Sequence, residues 1–196
     1  MTNTFPENTI ESLYNLLKNH RDKENFRYVE LDIHETADGE LAVFHDKKIG
    51  RMVPLQKFGN SCVIESYLSR TGEKRKKDYP LAVFTKTEIR RFNLSVDSVK
   101  IPFLEDVFSA LKEFDYKGRV FVETKDIRTE KTRKRLLELL TANNEHFDLS
   151  VLAGGFNFGR CFPDKKTWCD RLRRENIETL WVGVHTRVCA EQPKSR

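Results

Sequence analysis

YVELDIHETADGELAVFHDKKIGR, residues Tyr28–Arg51, is the stretch on which the reading of the fold turns. Strand side chains alternate, so over Tyr28–His34 the residues Val29, Leu31 and Ile33 point to one face and Glu30, Asp32 and His34 to the other. Asp38-Gly39 breaks the chain in a short turn, Thr36–Gly39. A second strand, Leu41–Phe44, then runs into His45-Asp46. One strand thus carries two carboxylates on one side, and the next ends in an imidazole. Carboxylates that close repel unless something positive lies between them. A divalent metal is the usual answer, and oxygen ligands suit Mg²⁺ or Ca²⁺ rather than zinc. A half-exposed antiparallel hairpin with its acids facing water explains the same alternation. On this window alone the hairpin is the simpler reading.

Upstream, Pro6-Glu7-Asn8-Thr9 opens a helix, with proline and an acid in its first turn. Ile10, Leu13, Tyr14 and Leu17 give it an apolar stripe. Downstream, residues Lys47–Lys100 are the least regular part, interrupted by Pro54, Gly59, Gly72 and Pro80. A short strand is expected at Leu81–Phe84 and a short helix at Lys86–Phe92. So long a segment between core elements reads as a functional insertion. Its basic run, Lys74-Arg75-Lys76-Lys77, reads as a solvated loop in preference to a nucleic-acid or membrane contact.

Beyond the insertion, Leu104, Val107, Phe108 and Leu111 mark a helix over Leu104–Phe114. Arg119–Lys125, RVFVETK, is a strand with Val120, Val122 and Thr124 on one side and Phe121, Glu123 and Lys125 on the other. A helix over Thr129–Asn143 turns Leu136, Leu139 and Leu140 inward and Lys131, Arg133, Lys134 and Arg135 outward. A strand at Leu149–Leu152, a helix at Lys165–Glu175 and a last strand at Ile177–Val184 complete the pattern.

With 196 residues the chain suits a single domain, residues 1–196, with its insertion at about 47–100. Apolar residues at 38% and 14 Phe are enough for a core, which excludes wholesale disorder. A net charge of +5 favours an anionic partner without singling out nucleic acid; phosphate-bearing small molecules fit it equally. Cys62, Cys161, Cys169 and Cys189 show no metal-ligand spacing and read as free thiols. No apolar run has the length of a membrane span, and the polar opening MTNTFPENT carries no signal peptide. A soluble, cytoplasmic protein is the default expectation, unless a signal peptide precedes Met1.

Strands alternate with helices, so a parallel sheet of the barrel type is expected. In such barrels functional residues sit at the C-terminal ends of strands. Glu30, Asp32, His45, Glu123 and Lys125 all fall at or near such ends, on three strands. Parallel strands are usually buried on both faces, where an unpaired carboxylate is costly. This convergence shifts the balance from the water-facing acids to a metal site.

At this point the chain resembles the glycerophosphodiester phosphodiesterase family. The matching signatures are Pro6-Glu7-Asn8-Thr9; Glu30-x-Asp32 with Thr36 and Asp38-Gly39; His45-Asp46 with Arg51; Ile101-Pro102-Phe103-Leu104-Glu105; and Glu123-x-Lys125. The resemblance covers about Phe5–Lys125. It implies a TIM (β/α)₈ barrel with an inserted segment, and metal-dependent hydrolysis of glycerophosphodiesters to glycerol 3-phosphate and an alcohol. By motif, Glu30, Asp32 and Glu123 would hold the Mg²⁺ or Ca²⁺, His45 would be one of two acid/base histidines, and Lys125 would contact the phosphate. The partner implied is a small-molecule glycerophosphodiester, not nucleic acid.

The chain departs from the pattern where the family has a His-Arg-Gly strand before Pro-Glu-Asn, since Met1 stands there. Five barrel strands are expected, Leu41–Phe44 among them, with the first and last barrel strands absent. Exposed edges and slow turnover follow from that expectation, with His185 a poor substitute for the second histidine. The alternative is a non-catalytic relative or fragment that binds a phosphate ligand or polyanion.

Overall fold

The computed structural model describes residues 5–24, 26–95, 98–154 and 160–182. In chain order the elements are α1 (Ile10–His20), β1 (Tyr28–Glu35), β2 (Leu41–Val43), α2 (Asn60–Thr71), a 3₁₀ turn (Leu81–Val83), α3 (Lys86–Ile89), α4 (Leu104–Glu113), β3 (Arg119–Asp126), α5 (Glu130–Thr141), β4 (Asp148–Gly154), α6 (Lys165–Arg174) and β5 (Glu178–Val182). The sheet order is β2-β1-β3-β4-β5. β1, β3, β4 and β5 are mutually parallel neighbours, and among the described residues the sheet is open.

Helix entry follows from local chemistry. Thr9 caps α1: its hydroxyl accepts from the Ser12 amide at 3.1 Å, while the Ser12 hydroxyl accepts from the Thr9 amide at 3.2 Å. Leu13 and Leu17 are buried, whereas Tyr14 remains exposed and donates to Glu113 of α4 at 2.6 Å. Val29, Leu31 and Ile33 of β1 and Val120 and Val122 of β3 are buried as the alternation predicts. They join one apolar cluster with side chains of α1, α4 and α5, such as Leu17, Val107, Phe108 and Leu140.

Four expectations need correction. β2 pairs antiparallel with β1, with Ile33 opposite Val43 and Glu35 opposite Leu41, and is not a parallel barrel strand. The physical reason is the length of the connection: residues 36–40 make a tight turn, whereas a parallel crossover takes a dozen residues or more. The hairpin is not isolated, however, because β1 pairs with β3 along its other edge. Leu81–Val83 is a 3₁₀ turn, not a strand, and buries Leu81 through a single turn of backbone. Arg133 is buried, not outward: its guanidinium donates to the Arg128 carbonyl at 3.2 Å, the Cys161 carbonyl at 2.8 Å and the Glu130 carboxylate at 3.1 Å.

The fourth correction concerns the insertion, which contains a twelve-residue helix, α2, and its own apolar cluster. Val63, Ile64 and Tyr67 are the buried face of α2, diluted in sequence by Ser61, Cys62, Glu65, Ser66 and Ser69. Tyr67, Tyr79, Phe84 and Phe92 form a run of ring contacts with centroids 4.9–5.9 Å apart. Buried Asn60 ties this region together, donating to the Pro54 carbonyl at 3.1 Å and the Asn93 carbonyl at 2.8 Å while accepting from the Asn93 amide at 2.8 Å. The region is fastened to the hairpin by hydrogen bonds from the Val43 amide to the Pro102 carbonyl and from the Ala37 amide to the Phe84 carbonyl, both 2.8 Å. The hairpin that leads into His45 is thereby fastened to this region.

Gly39 sits at φ +85°, and a Cβ built there would meet the Thr132 hydroxyl of α5 at 3.1 Å. The left-handed region disfavours L side chains by about 1–2 kcal/mol. Gly39→Ala is expected to lower unfolding free energy by about that amount in urea titrations. Unchanged stability would show that the turn relaxes. The described cysteines, Cys62, Cys161 and Cys169, are free thiols as expected, while Cys189 lies outside the described residues.

Candidate active site

The register of β1 and β3 sets Asp32 beside Glu123, on the face opposite the packed valines. Glu30 lies two residues earlier on the same face of β1. One carboxylate oxygen from each of Glu30, Asp32 and Glu123 lies within 4.8 Å of the others. Asp32 is buried, Glu123 half-buried, and Glu30 meets solvent. Crowding by protein atoms, with the Asp32 and Glu123 charges alongside, pushes the Glu30 carboxyl up to about 7. Oxygen donors this close suit a hard divalent cation. The grouping therefore fits a metal by donor chemistry and spacing alike.

Two further side chains brace Asp32. The Lys125 ammonium lies 3.0 Å from Asp32 Oδ1 and 2.9 Å from Glu123 Oε1. Burial pulls the Lys125 ammonium down, but its bonds to Glu123 and Asp32 outweigh this and hold its pKa above the ordinary lysine value. Asn8 donates Nδ2 to Asp32 Oδ2 at 2.9 Å and accepts from the Asp32 amide at 3.3 Å. It does so from a left-handed backbone conformation, φ 56°, which asparagine tolerates better than most residues.

His45 follows β2, and the Phe44 amide donates to the Asp32 carbonyl at 2.8 Å, which brings that strand end to the carboxylates. His45 Nδ1 lies 2.7 Å from Asp46 Oδ1. Asp46 is in turn paired with Arg51, whose guanidinium also reaches Glu7. The bond to Asp46 holds the His45 imidazole above its ordinary pKa. Buried His34 contacts the His45 carbonyl through Nε2 at 3.2 Å, and burial pulls its own pKa down.

His34, His45, Asp46, Lys47, Lys125, Asp126 and Arg160 line a cleft of about 300 Å³. Lys125 joins this cleft to the acidic group. Clefts elsewhere are larger, such as one of about 480 Å³ at Cys169 and Arg173, but that one holds neither a histidine nor a carboxylate cluster.

Of the five residues singled out from the sequence, Glu30, Asp32 and Glu123 come together, Lys125 bonds to Asp32 and Glu123, and His45 lines the cleft that Lys125 also lines; Glu30, the third residue of β1, does not lie at the C-terminal end of its strand. His185 lies outside the described residues. Sequence reading did not single out Asn8, His34, Asp46, Arg51 or Arg160, which contact these residues or line the cleft. For Asn8, Asp46 and Arg51 the signal was their presence in the quoted signatures. Arg160 belongs to none of the quoted signatures and offered no signal.

The chain matches the family model described as "Glycerophosphoryl diester phosphodiesterase family" over residues 1–161. It is 24% identical over 168 residues to the uncharacterized protein YqiK of Bacillus subtilis, a match covering 86% of this chain and 58% of that protein. Among solved structures it is similar to a Galdieria sulphuraria protein described as a glycerophosphodiester phosphodiesterase, with TM-score 0.59 and 20% identity over 90% of this chain and 58% of that one. It is also similar to an Oleispira antarctica phosphodiesterase in complex with its product sn-glycerol-3-phosphate, with TM-score 0.53 and 18% identity over 91% of this chain and 71% of that one. The chain thus spans less than two thirds of the first two relatives' lengths. No helix among the described residues is long and apolar enough to cross a membrane. The described residues form an open, mostly parallel α/β sheet that shares the fold of these barrel structures without closing into a barrel. The match over residues 1–161 establishes the relationship: this chain belongs to the glycerophosphoryl diester phosphodiesterase family.

Proposed function

We propose that the chain hydrolyses glycerophosphodiesters to glycerol 3-phosphate and an alcohol with the help of a divalent metal, Mg²⁺ or Ca²⁺. The observation that carries this reading is a three-carboxylate cluster within 4.8 Å, joined through Lys125 to a cleft that also holds His45. Membership of the family and the product-bound relative from Oleispira antarctica support the substrate class.

Glu30, Asp32 and Glu123 would hold the metal, which when bound supplies charge stabilisation to phosphoryl oxygens. Lys125 places an ammonium where negative charge grows on the phosphate in the transition state. Water adds to phosphorus and releases a proton to solvent, the bond from phosphorus to the alcohol oxygen breaks, and His45 gives the departing alkoxide its proton. Asp46 fixes the ring through Nδ1, which leaves Nε2 for that transfer.

The test is release of glycerol 3-phosphate from glycerophosphocholine by the purified chain, before and after chelation, alongside calorimetric titration with Mg²⁺ and Ca²⁺. Release that disappears on chelation, and metal binding that weakens in Glu123→Gln without loss of folding, are expected. Unchanged metal binding in Glu123→Gln would remove the proposed ligand set. Release that survives chelation would remove the metal from the reaction.

A further inference from the structure

We infer that Arg160 is a phosphate-binding residue of this cleft, gripping the phosphoryl group of the ligand from the wall that faces His45 and Lys125. The inference rests on the reading of the cleft as a phosphodiester site and adds a residue that no sequence signature marks.

Three observations support it. First, Arg160 lines the same cleft of about 300 Å³ as Lys125 and His45. Second, its position is held by its neighbour. Buried Cys161 accepts from the Ile127 amide at 3.2 Å through its sulfur, and from Arg133 at 2.8 Å through its carbonyl. Ile127 directly follows β3, the strand that carries Glu123 and Lys125. Phe162, the next residue, is buried against Trp168 with ring centroids 5.4 Å apart. The backbone at Arg160 is thus fastened to the strand end that bears the site, while the arginine itself is exposed.

Third, no ion pair among the described residues engages this guanidinium, although Asp126 lines the same cleft. Asp46 is taken by Arg51 and His45, and Lys125 by Asp32 and Glu123. Arginine presents a planar fork of donors that matches two phosphate oxygens at once, which lysine does not. Lys125 on the floor and Arg160 on the wall would then hold different oxygens of one phosphoryl group.

The experiment is calorimetric titration of the full chain with glycerol 3-phosphate and, separately, with inorganic phosphate, in the presence of saturating Mg²⁺. Arg160→Gln is expected to weaken glycerol 3-phosphate binding by about 10- to 100-fold, the range for a lost charge-assisted hydrogen bond. Arg160→Lys should recover only part of that loss. Mg²⁺ affinity and the thermal midpoint should not change, because the side chain is exposed and touches none of the three carboxylates. Arg160→Gln binding glycerol 3-phosphate as tightly as the parent would overturn the role of Arg160 and leave the site reading intact. A parent chain that binds Mg²⁺ but neither phosphate ligand would overturn the role as well. A parent chain that binds no metal and no phosphate would remove the site reading itself, and Arg160 with it.

Discussion

If the proposed reaction holds, His45→Gln is expected to lower the rate of glycerol 3-phosphate release by about 10²–10⁴ relative to the parent chain, the usual contribution of one positioned acid or base. Glutamine keeps the bulk of the ring and a hydrogen bond to Asp46, but it cannot carry a proton through the physiological range. The pH dependence separates loss of chemistry from loss of shape. Asp46 raises the His45 pKa above its ordinary 6.5, so the protonated form persists to higher pH. If His45 acts as the proton donor, the rate falls as pH rises through that raised value. Asp46→Asn removes the cause, so the falling limb moves to lower pH. The linkage to stability has the same origin: a pKa raised on folding contributes below the unfolded value and is lost as pH rises through the folded one. An imidazole titration followed by NMR should therefore shift downward in Asp46→Asn together with the rate limb. A rate unaffected by His45→Gln would overturn its role, and a limb that stays in place would overturn that of Asp46.

The second large effect is expected at Lys125. In the metal-free chain its ammonium is the cation that lies between Asp32 and Glu123. Asp32 is 4% exposed at its side chain and Glu123 22%. Lys125→Met leaves Glu30, Asp32 and Glu123 within 4.8 Å with no positive partner among them. Removing one member of a buried pair costs about 3–5 kcal/mol, and the partial exposure of Glu123 reduces this to about 2–3 kcal/mol here. Metal binding should restore most of that loss, since a divalent ion supplies the missing charge. Lys125→Met should therefore unfold at markedly lower urea concentration without metal, and the gap from the parent should narrow in millimolar Ca²⁺ or Mg²⁺. It should also lose affinity for glycerol 3-phosphate. Equal stability of the two metal-free proteins would show that the acidic group tolerates its own repulsion, and the ammonium would then have no part in holding it together.

The sequence by itself determined most of the main elements and which acidic side chains share a face. Period-two alternation placed Val29, Leu31, Ile33, Val120 and Val122 inside, because burial on a strand selects every second residue. The same rule placed Glu30, Asp32 and Glu123 on a common face once β1 and β3 lay side by side. It did not determine direction: β2 looked like another barrel strand, and only the five-residue turn closing on β1 made it antiparallel. Helix α2 was illegible because four buried residues, two of them polar or aromatic, are scattered among serines, and what holds it is the distant ring cluster of Tyr79, Phe84 and Phe92. Tertiary structure also decided which charges meet. Arg133 belongs by pattern on a wet helix face, yet the Cys161 carbonyl draws it inward. Arg160 comes to line the same cleft as Lys125 because its neighbour Cys161 is bonded to the residue after β3. Periodicity reports which side of an element is dry. Which charge stands across a cleft depends on contacts more than thirty residues apart, here Cys161 with Ile127, and no local pattern encodes them.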